Sequence, residues 1–387
     1  MTVDHPADFR LILARRLTTD VLGPLKSTFV DKDEIVDLLG ICLVGGENLF
    51  ILGPPGTAKS SIVHELASRI EGRAFDYLLT RFTEPSEIFG PFDIRRLRDG
   101  DLVTNTEGML PEASLVFLDE LLNANSAILN SLLMVLNERV FRRGRETRAL
   151  PLLAVVGASN RLPADDALSA LFDRFLLRVR SDNVSDGMLD DVLAAGWRLN
   201  LVREAVAVTM SVEEIRHVQS LLSEVNLDRV RSHYVGLVRA LRRAGISVSD
   251  RRAVKLQRLV ASSAVLCGRI VANATDLWVL RHVWDTEEQR EPIAAIVDKA
   301  IDRAEAADLE NAHPRSRGRL PDPEELAREI ERIGVALKNG ATGGERAVWL
   351  DRLGLLAARA AWIQNDQQRE FVEAQVRLVW SAAGEDL

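Results

Sequence analysis

Three short apolar runs organise the first half of the chain: Asn48 to Leu52, Leu115 to Leu118 and Leu152 to Val156. Each is uninterrupted by charge and then stops abruptly at small or polar residues. Continuous runs of this length predict strands buried on both faces, as in a parallel sheet covered by helices. Between them the pattern turns helical. Ile62 to Ile70 is apolar-periodic, and the uncharged stretch Leu121 to Asn137 reads as an amphipathic helix. Past about Ser181 the strand signal fades into helical periodicity over Leu199–Val208, Val212–Val225, Arg229–Ala244 and Arg251–Leu266. Trp278, Leu280, Val283 and Trp284 predict an aromatic helix end, followed by a helix from Glu287 to Glu310.

The segment His313 to Pro323 breaks all periodicity and reads as a linker. Beyond it, helices are predicted over Glu324–Lys338, Glu345–Ile363 and Gln367–Ala382. In the second, Trp349, Leu350, Leu353, Leu356, Ala360 and Ile363 share one face, expected to pack on the preceding helical domain. The fold class is therefore α/β: an αβα core over 1–181, an all-helical domain over 182–312, the linker 313–323 and a helical extension over 324–387.

The residues at the carboxyl ends of the three predicted strands carry the chemistry. After the first comes Gly53-Pro54-Pro55-Gly56-Thr57-Ala58-Lys59-Ser60, with Ser61 next in line. A strand turning into a helix through small residues leaves backbone N–H groups free to face phosphates, and the helix N-terminus adds its positive dipole end. Lys59 would reach the β- and γ-phosphates and Ser60 would hold Mg²⁺. The usual pattern has Gly where this chain has Ala58, and a right-handed conformation is expected there. The second strand ends in Asp119-Glu120. Asp119 would meet the metal and Glu120 would polarise the attacking water. As an isolated pair they would read as an ordinary helix N-terminus. The third strand ends in Gly157-Ala158-Ser159-Asn160, which puts Asn160 near a γ-phosphate or its water.

Taken together and in this order, GPPGTAKS, LVFLDE, NANSAILNSLLMVLNERVFRRG, VVGASNRLP and ALFDRFLLRV resemble an AAA+ ATPase of the MoxR branch, most similar to the RavA-like proteins. The resemblance spans about Leu17 to about Leu309. It implies a RecA-like αβα core, a small helical lid, ATP and Mg²⁺ as cofactors, and a ring, usually a hexamer. It also implies Lys59 and Ser60 as Walker A, Asp119 and Glu120 as Walker B, Asn160 as sensor 1, Arg174 as the arginine finger and Arg251, or its neighbour Arg252, as sensor 2. The implied activity is ATP hydrolysis that remodels or activates a protein, often with a von Willebrand factor A partner. A nucleic-acid motor and a slow nucleotide-timed assembly switch are the alternatives. RavA-like proteins often carry a C-terminal module with a β-rich part, and nothing strand-like of that size is read here.

Composition narrows these readings. With 387 residues, 47% hydrophobic and 27% charged, the chain can support several cored domains. A net charge of −8 weighs against nucleic acid as the main partner. No apolar leader or membrane-length run is read, so a cytoplasmic protein without membrane insertion is expected. Cys42 and Cys267 read as small core residues, and no metal is assigned to the six histidines. One basic cluster stands out: Arg139, Arg142, Arg143, Arg145 and Arg148 around Gly144, predicted as a hairpin over about 138–150. By resemblance it is a pore-facing hairpin before sensor 1. It is expected to be solvated, to pair across subunits or to meet an acidic protein. Residues 84–111, with a turn signal at Arg98–Asp101, match the helix-2 insert of the MoxR and chelatase group.

Overall fold

The computed structural model describes residues 8–93, 95–96, 103–143, 146–163, 166–201, 210–302, 312–317, 323–338, 346, 349–350, 353, 356, 360 and 366–382. It divides into two compact units, Met1–Ser316 and Arg317–Leu387, each with its own core.

The first unit opens with α1 (Phe9–Arg16), a wide helical turn over Leu17–Leu22, α2 (Gly23–Thr28) and α3 (Asp33–Gly45). Residues Ile35 to Gly45 of α3 are all buried, so this helix is core on every side. It stops at Gly46, whose φ of +63° suits the left-handed cap of a helix end. The chain then enters β1 (Leu49–Leu52), α4 (Lys59–Ser68), β2 (Ile70–Glu71), β3 (Ala74–Leu78) and α5 (Pro85–Phe89). There follow β4 (Leu115–Asp119), α6 (Ser126–Glu138), the antiparallel hairpin β5 (Val140–Arg143) and β6 (Glu146–Ala149), β7 (Ala154–Ser159), α7 (Asp166–Phe172) and β8 (Leu177–Arg180).

Five of these strands form one parallel sheet in the order β3-β4-β7-β1-β8. β1, the middle of β4 and all of β7 are buried on both faces, which is why they read as unbroken apolar runs. The register pairs Leu52 with Ser159 and with Arg180, and Leu78 with Asp119. The carboxyl ends therefore line up along one edge, where open α/β sheets bind ligands.

The helical part comprises α8 (Leu189–Leu201), β9 (Met210–Ser211), α9 (Val212–Ser220), α10 (Asp228–Arg243), α11 (Asp250–Leu266), a 3₁₀ stretch Ala274–His282 and α12 (Arg290–Ile301). α9 starts in a capping box between Ser211 and Glu214. β9 pairs in parallel with β2, and α9 and α11 pack on α3. The predicted helices at 212–225, 229–244 and 251–266 thus appear with small shifts at their ends. The one expected over Leu199–Val208 is instead the end of α8, and its remainder lies outside the described residues. The helix expected from Glu287 is a 3₁₀ turn, Glu287–Gln289, leading into α12; 303–311 lie outside the described residues.

The predicted linker needs correction at its start. His313 stacks on Trp278 at 4.4 Å, Arg315 donates to Asp37 at 2.9 Å, and Arg281 donates to the carbonyls of Arg315 and Ser316 at 2.5 and 3.0 Å. Residues 313–316 are thus strapped to α3 and the 3₁₀ stretch.

The second unit holds α13 (Pro323–Lys338) and α14 (Asp366–Ala382). Leu326, Ile330 and Ile333 of α13 pack with Val372 and Val376 of α14. The helical residues Leu353, Leu356 and Ala360 complete this core, so the apolar face expected to pack on the helical domain is buried against α13 and α14.

Candidate functional site

The turn after β1 wraps around a lysine. Gly53 N donates to Ser159 O at 3.0 Å, which ties the loop to β7. A Cβ on Gly53 would overlap the Ser181 carbonyl, so only glycine lets β8's continuation press against the loop. Thr57 Oγ1 donates to Pro54 O and Ser181 Oγ to Thr57 O, each at 3.0 Å. Lys59 Nζ donates to Gly53 O at 2.9 Å and Pro54 O at 2.7 Å. Burial lowers the Lys59 pKa, with Asp119 and Glu120 opposing. A desolvated ammonium held by neutral carbonyls is a stronger partner for anionic oxygens than for the groups that now hold it.

Ala58 departs from expectation. Its φ is +63°, left-handed, a region that glycine enters freely, and it forms the N-cap of α4. A Cβ in this conformation costs roughly 1 kcal/mol.

Pro55, Gly56, Ala58, Lys59, Ser60, Ser61, Asp119 and Glu120 line a cavity of about 340 Å³ at the carboxyl edge of the sheet. Asp119 and Glu120 arrive at the end of β4 as predicted, and Asp119 Oδ1 accepts from Glu120 N at 2.9 Å. Glu120 is left-handed at φ +48°. Burial, and next the charge of Asp119, raise its carboxyl above the ordinary value, while Lys59 and Arg161 pull it back. The donor set fits a magnesium nucleotide. Ser60 and Asp119 offer the hard oxygens that Mg²⁺ prefers, and the loop and Lys59 offer N–H groups to phosphates. Bound there, Mg²⁺ would supply charge neutralisation on the phosphates.

Two residues not singled out from the sequence support Glu120. Asn123 Nδ2 lies 3.5 Å from Glu120 Oε2, and Arg161 Nη2 donates to Asn123 Oδ1 at 2.8 Å. Asn160, at the end of β7, is exposed beside them and does not line the cavity.

Arg174 stands at the opposite edge. It comes after α7 in the turn leading to β8, and its carbonyl accepts from Asn48, the residue preceding β1. Asn48 and Gly53 are separated by the length of β1, roughly 16 Å of strand. The half-buried guanidinium lies 3.6 Å from Asp173, and its Nε is buried without a hydrogen-bond partner among the described residues.

The two sensor 2 possibilities also separate. Arg251 is exposed in the first turn of α11 and does not line the cavity. Arg252 is buried: Nη1 donates to both Asp285 oxygens at 3.0 Å and Nη2 to Val283 O at 2.6 Å. The same Asp285 accepts from Arg178 Nη1 at 2.7 Å. Arg178 is fully buried in β8, and it also donates to Trp284 O and Phe172 O. Burial lowers its pKa to about 9. Two arginines on one carboxylate thus join β8 to the helical part.

The basic hairpin is not free. Arg143 donates to Gly90 O at 2.6 Å with its guanidinium 4.0 Å from the Phe92 ring centre, and Arg148 donates to Pro111 O at 2.9 Å. Arg142 pairs with Glu138 at 3.1 Å. Arg143 and Arg148 serve the chain's own insert, where α5 and a bridge between Phe92 and Thr104 are seen; 97–102 and the tip at Gly144 and Arg145 lie outside the described residues.

Comparison with known proteins agrees with this geometry. Residues 15–220 match the family described as the MoxR domain in the MoxR-vWA-beta-propeller ternary systems, and 229–297 match an AAA lid domain. The uncharacterised proteins MJ0079 and MJ0812 of Methanocaldococcus jannaschii are similar: 37% identical over 67% of this chain and 68% of the relative, and 36% over 68% and 70%. A solved structure from Cytophaga hutchinsonii, provisionally described as an ATPase, superposes with a TM-score of 0.63 at 18% identity, covering 75% of this chain and 96% of its own. Among the described residues no helix is long and apolar enough to cross a membrane. With the phosphate loop, paired acids, parallel sheet and helical lid in place, the chain belongs to the MoxR branch of the AAA+ ATPases.

Proposed function

We propose that this chain, RavA-like within its branch, hydrolyses ATP with Mg²⁺ as a ring, most simply a hexamer, and remodels or activates a protein partner. Lys59 and the loop N–H groups hold the phosphates, Ser60 and Asp119 the metal, and Glu120 takes up the proton of the attacking water. Asn160 orients that water, and Arg251 senses nucleotide from the lid. Arg174 acts in trans on the site of the adjacent subunit. The observation that carries this is the separation of Arg174 from its own phosphate loop by the full length of β1. An arginine side chain cannot span that distance, whereas a neighbour's cavity can receive it. The guanidinium suits this work because it stays charged and offers paired donors. A von Willebrand factor A protein is the partner class we favour, since the matched family is described from systems that contain one.

Turnover per subunit should rise with protein concentration. Arg174→Ala should lower it by roughly 10³-fold or more while nucleotide binding survives. Mixing Arg174→Ala with Glu120→Gln should restore part of the activity, because one interface then combines an intact Glu120 with an intact Arg174. Activity independent of concentration, with no recovery in mixtures, would mean a self-contained site.

A further inference from the structure

The amino edge of the sheet carries a polar cluster that the nucleotide cavity does not use. Arg139 caps α6 in a left-handed conformation, φ +54°, and the hairpin begins at the next residue. Its Nη2 donates to Gly46 O and to Asn48 Oδ1, both at 2.9 Å. Asn48, 1% exposed, turns its other end to the Arg174 turn and donates from Nδ2 to Arg174 O at 3.1 Å. The partners fix the amide's orientation, since the reverse would oppose donor to donor and acceptor to acceptor. On either side of that turn, Phe172 and Phe175 stand edge-on to Phe50 of β1, at 4.9 and 5.8 Å. The aromatic contacts hold the flanks of the turn. The Asn48 amide holds the carbonyl of Arg174 itself.

We propose that Asn48 and Arg139 are positioning residues for Arg174, a relay that sets where its guanidinium stands and ties it to the base of the β5–β6 hairpin. This rests on the reading of Arg174 as the residue delivered to a neighbouring subunit. Neither Asn48 nor Arg139 lines the cavity, so they act only through the Arg174 turn. A hairpin displaced by a bound protein would pull on Arg139, and the relay would pass that movement to the finger.

The decisive variant is Asn48→Asp. It keeps an acceptor for Arg139 and removes the donor to Arg174 O, while the new carboxylate has the Arg139 guanidinium as a charge partner. Nucleotide affinity, measured by equilibrium binding, should stay at the wild-type value. Steady-state hydrolysis should fall roughly 10- to 100-fold, the scale for a catalytic group moved by about an ångström. Mixtures give the readout that general damage would not move. With Glu120→Gln, Asn48→Asp should regain activity, because its intact Glu120 meets an undisturbed Arg174. With Arg174→Ala it should regain none, because neither chain supplies a well-placed finger. Arg139→Met removes both donations and should repeat this pattern, which covers the case in which Asn48→Asp does not fold. Wild-type turnover in both variants, or rescue by both partners or by neither, overturns the proposal. Failure of Arg174→Ala to be rescued by Glu120→Gln instead overturns the finger reading, and the relay falls with it.

Discussion

Glu120 bears two local penalties at once, a left-handed backbone and a partly buried carboxyl beside Asp119. Its folded pKa lies above the ordinary 4.5. A group raised in this way contributes most to stability below its unfolded pKa, and that contribution is lost as pH rises through the folded value. Above its folded pKa the ionised carboxylate is therefore a net cost to the fold. Glu120→Gln should abolish turnover, keep nucleotide binding and melt at a higher temperature than wild type at pH 8, with the gap closing towards pH 4.5. Thermal melts across that range check it, and a variant less stable than wild type at pH 8 refutes the account. Residues of this kind are legible because they are adjacent in sequence: a glycine-rich turn before Lys59-Ser60, and two acids closing an apolar run. Ala58 is misread because its side chain gives no sign of backbone handedness; the glycine of the usual pattern is the better guide. Arg178 escapes notice because one arginine among Leu176, Leu177 and Val179 carries no sign of the partner it meets. Its partner Asp285 lies 107 residues further along the chain.

At the scale of elements, the hairpin and the insert are each readable but their union is not. The arginines look solvated because their acceptors, the carbonyls of Gly90 and Pro111, have no signature in a sequence. Arg148 also reaches Thr106 Oγ1 at 3.3 Å. With Arg143 laid over Phe92 beside α5, the described parts of hairpin and insert are tied to one another. Charged hydrogen bonds of this kind contribute roughly 1.5 to 3 kcal/mol each where water is excluded, and less at a part-exposed rim. Replacing Arg143 and Arg148 together by Ala should speed amide hydrogen exchange about tenfold to a hundredfold in 103–112 and 140–149, and leave the sheet's protection unchanged. Exchange monitored by mass spectrometry tests this; uniform acceleration across the first unit would mean that the arginines support the global fold instead. Nucleic-acid affinity is expected to be weak before and after the change. Tight, salt-dependent binding lost in the double variant would return these arginines to phosphate recognition.

At the scale of the whole molecule, the α/β core and the helical part are legible because period and run length report burial directly. The division between units is legible only in part, since a break in periodicity marks where helices stop and not whether the side chains beyond have partners. His313 has them: it lies flat on Trp278, with Nε2 3.9 Å from Asp37. His282 is buried 3.8 Å from Glu34. Burial pushes both rings down from 6.5 to about 4. The sign comes from a depressed folded pKa: each buried neutral ring contributes stability above the unfolded pKa, and that stability is lost as pH falls from about 6.5 towards 4. A depression of this size corresponds to roughly 3 kcal/mol of stability per histidine lost between about pH 6.5 and pH 4. The sequence from Arg317 to Leu387 contains no histidine. Calorimetry of the full chain between pH 7.5 and 4.5 should therefore resolve a transition of the first unit that moves down with acid. The transition of the second unit should lack this histidine contribution, and hydrogen exchange identifies which transition is which. Substituting His313→Gln should lower the first Tm at pH 7.5 and flatten its decline below pH 6.5, because the stacked ring no longer has to take up a proton on unfolding. An undiminished slope in that variant would show that His313 is not protonated in the unfolded chain to any greater extent than in the folded one, and the strap would then owe nothing to its neutral ring.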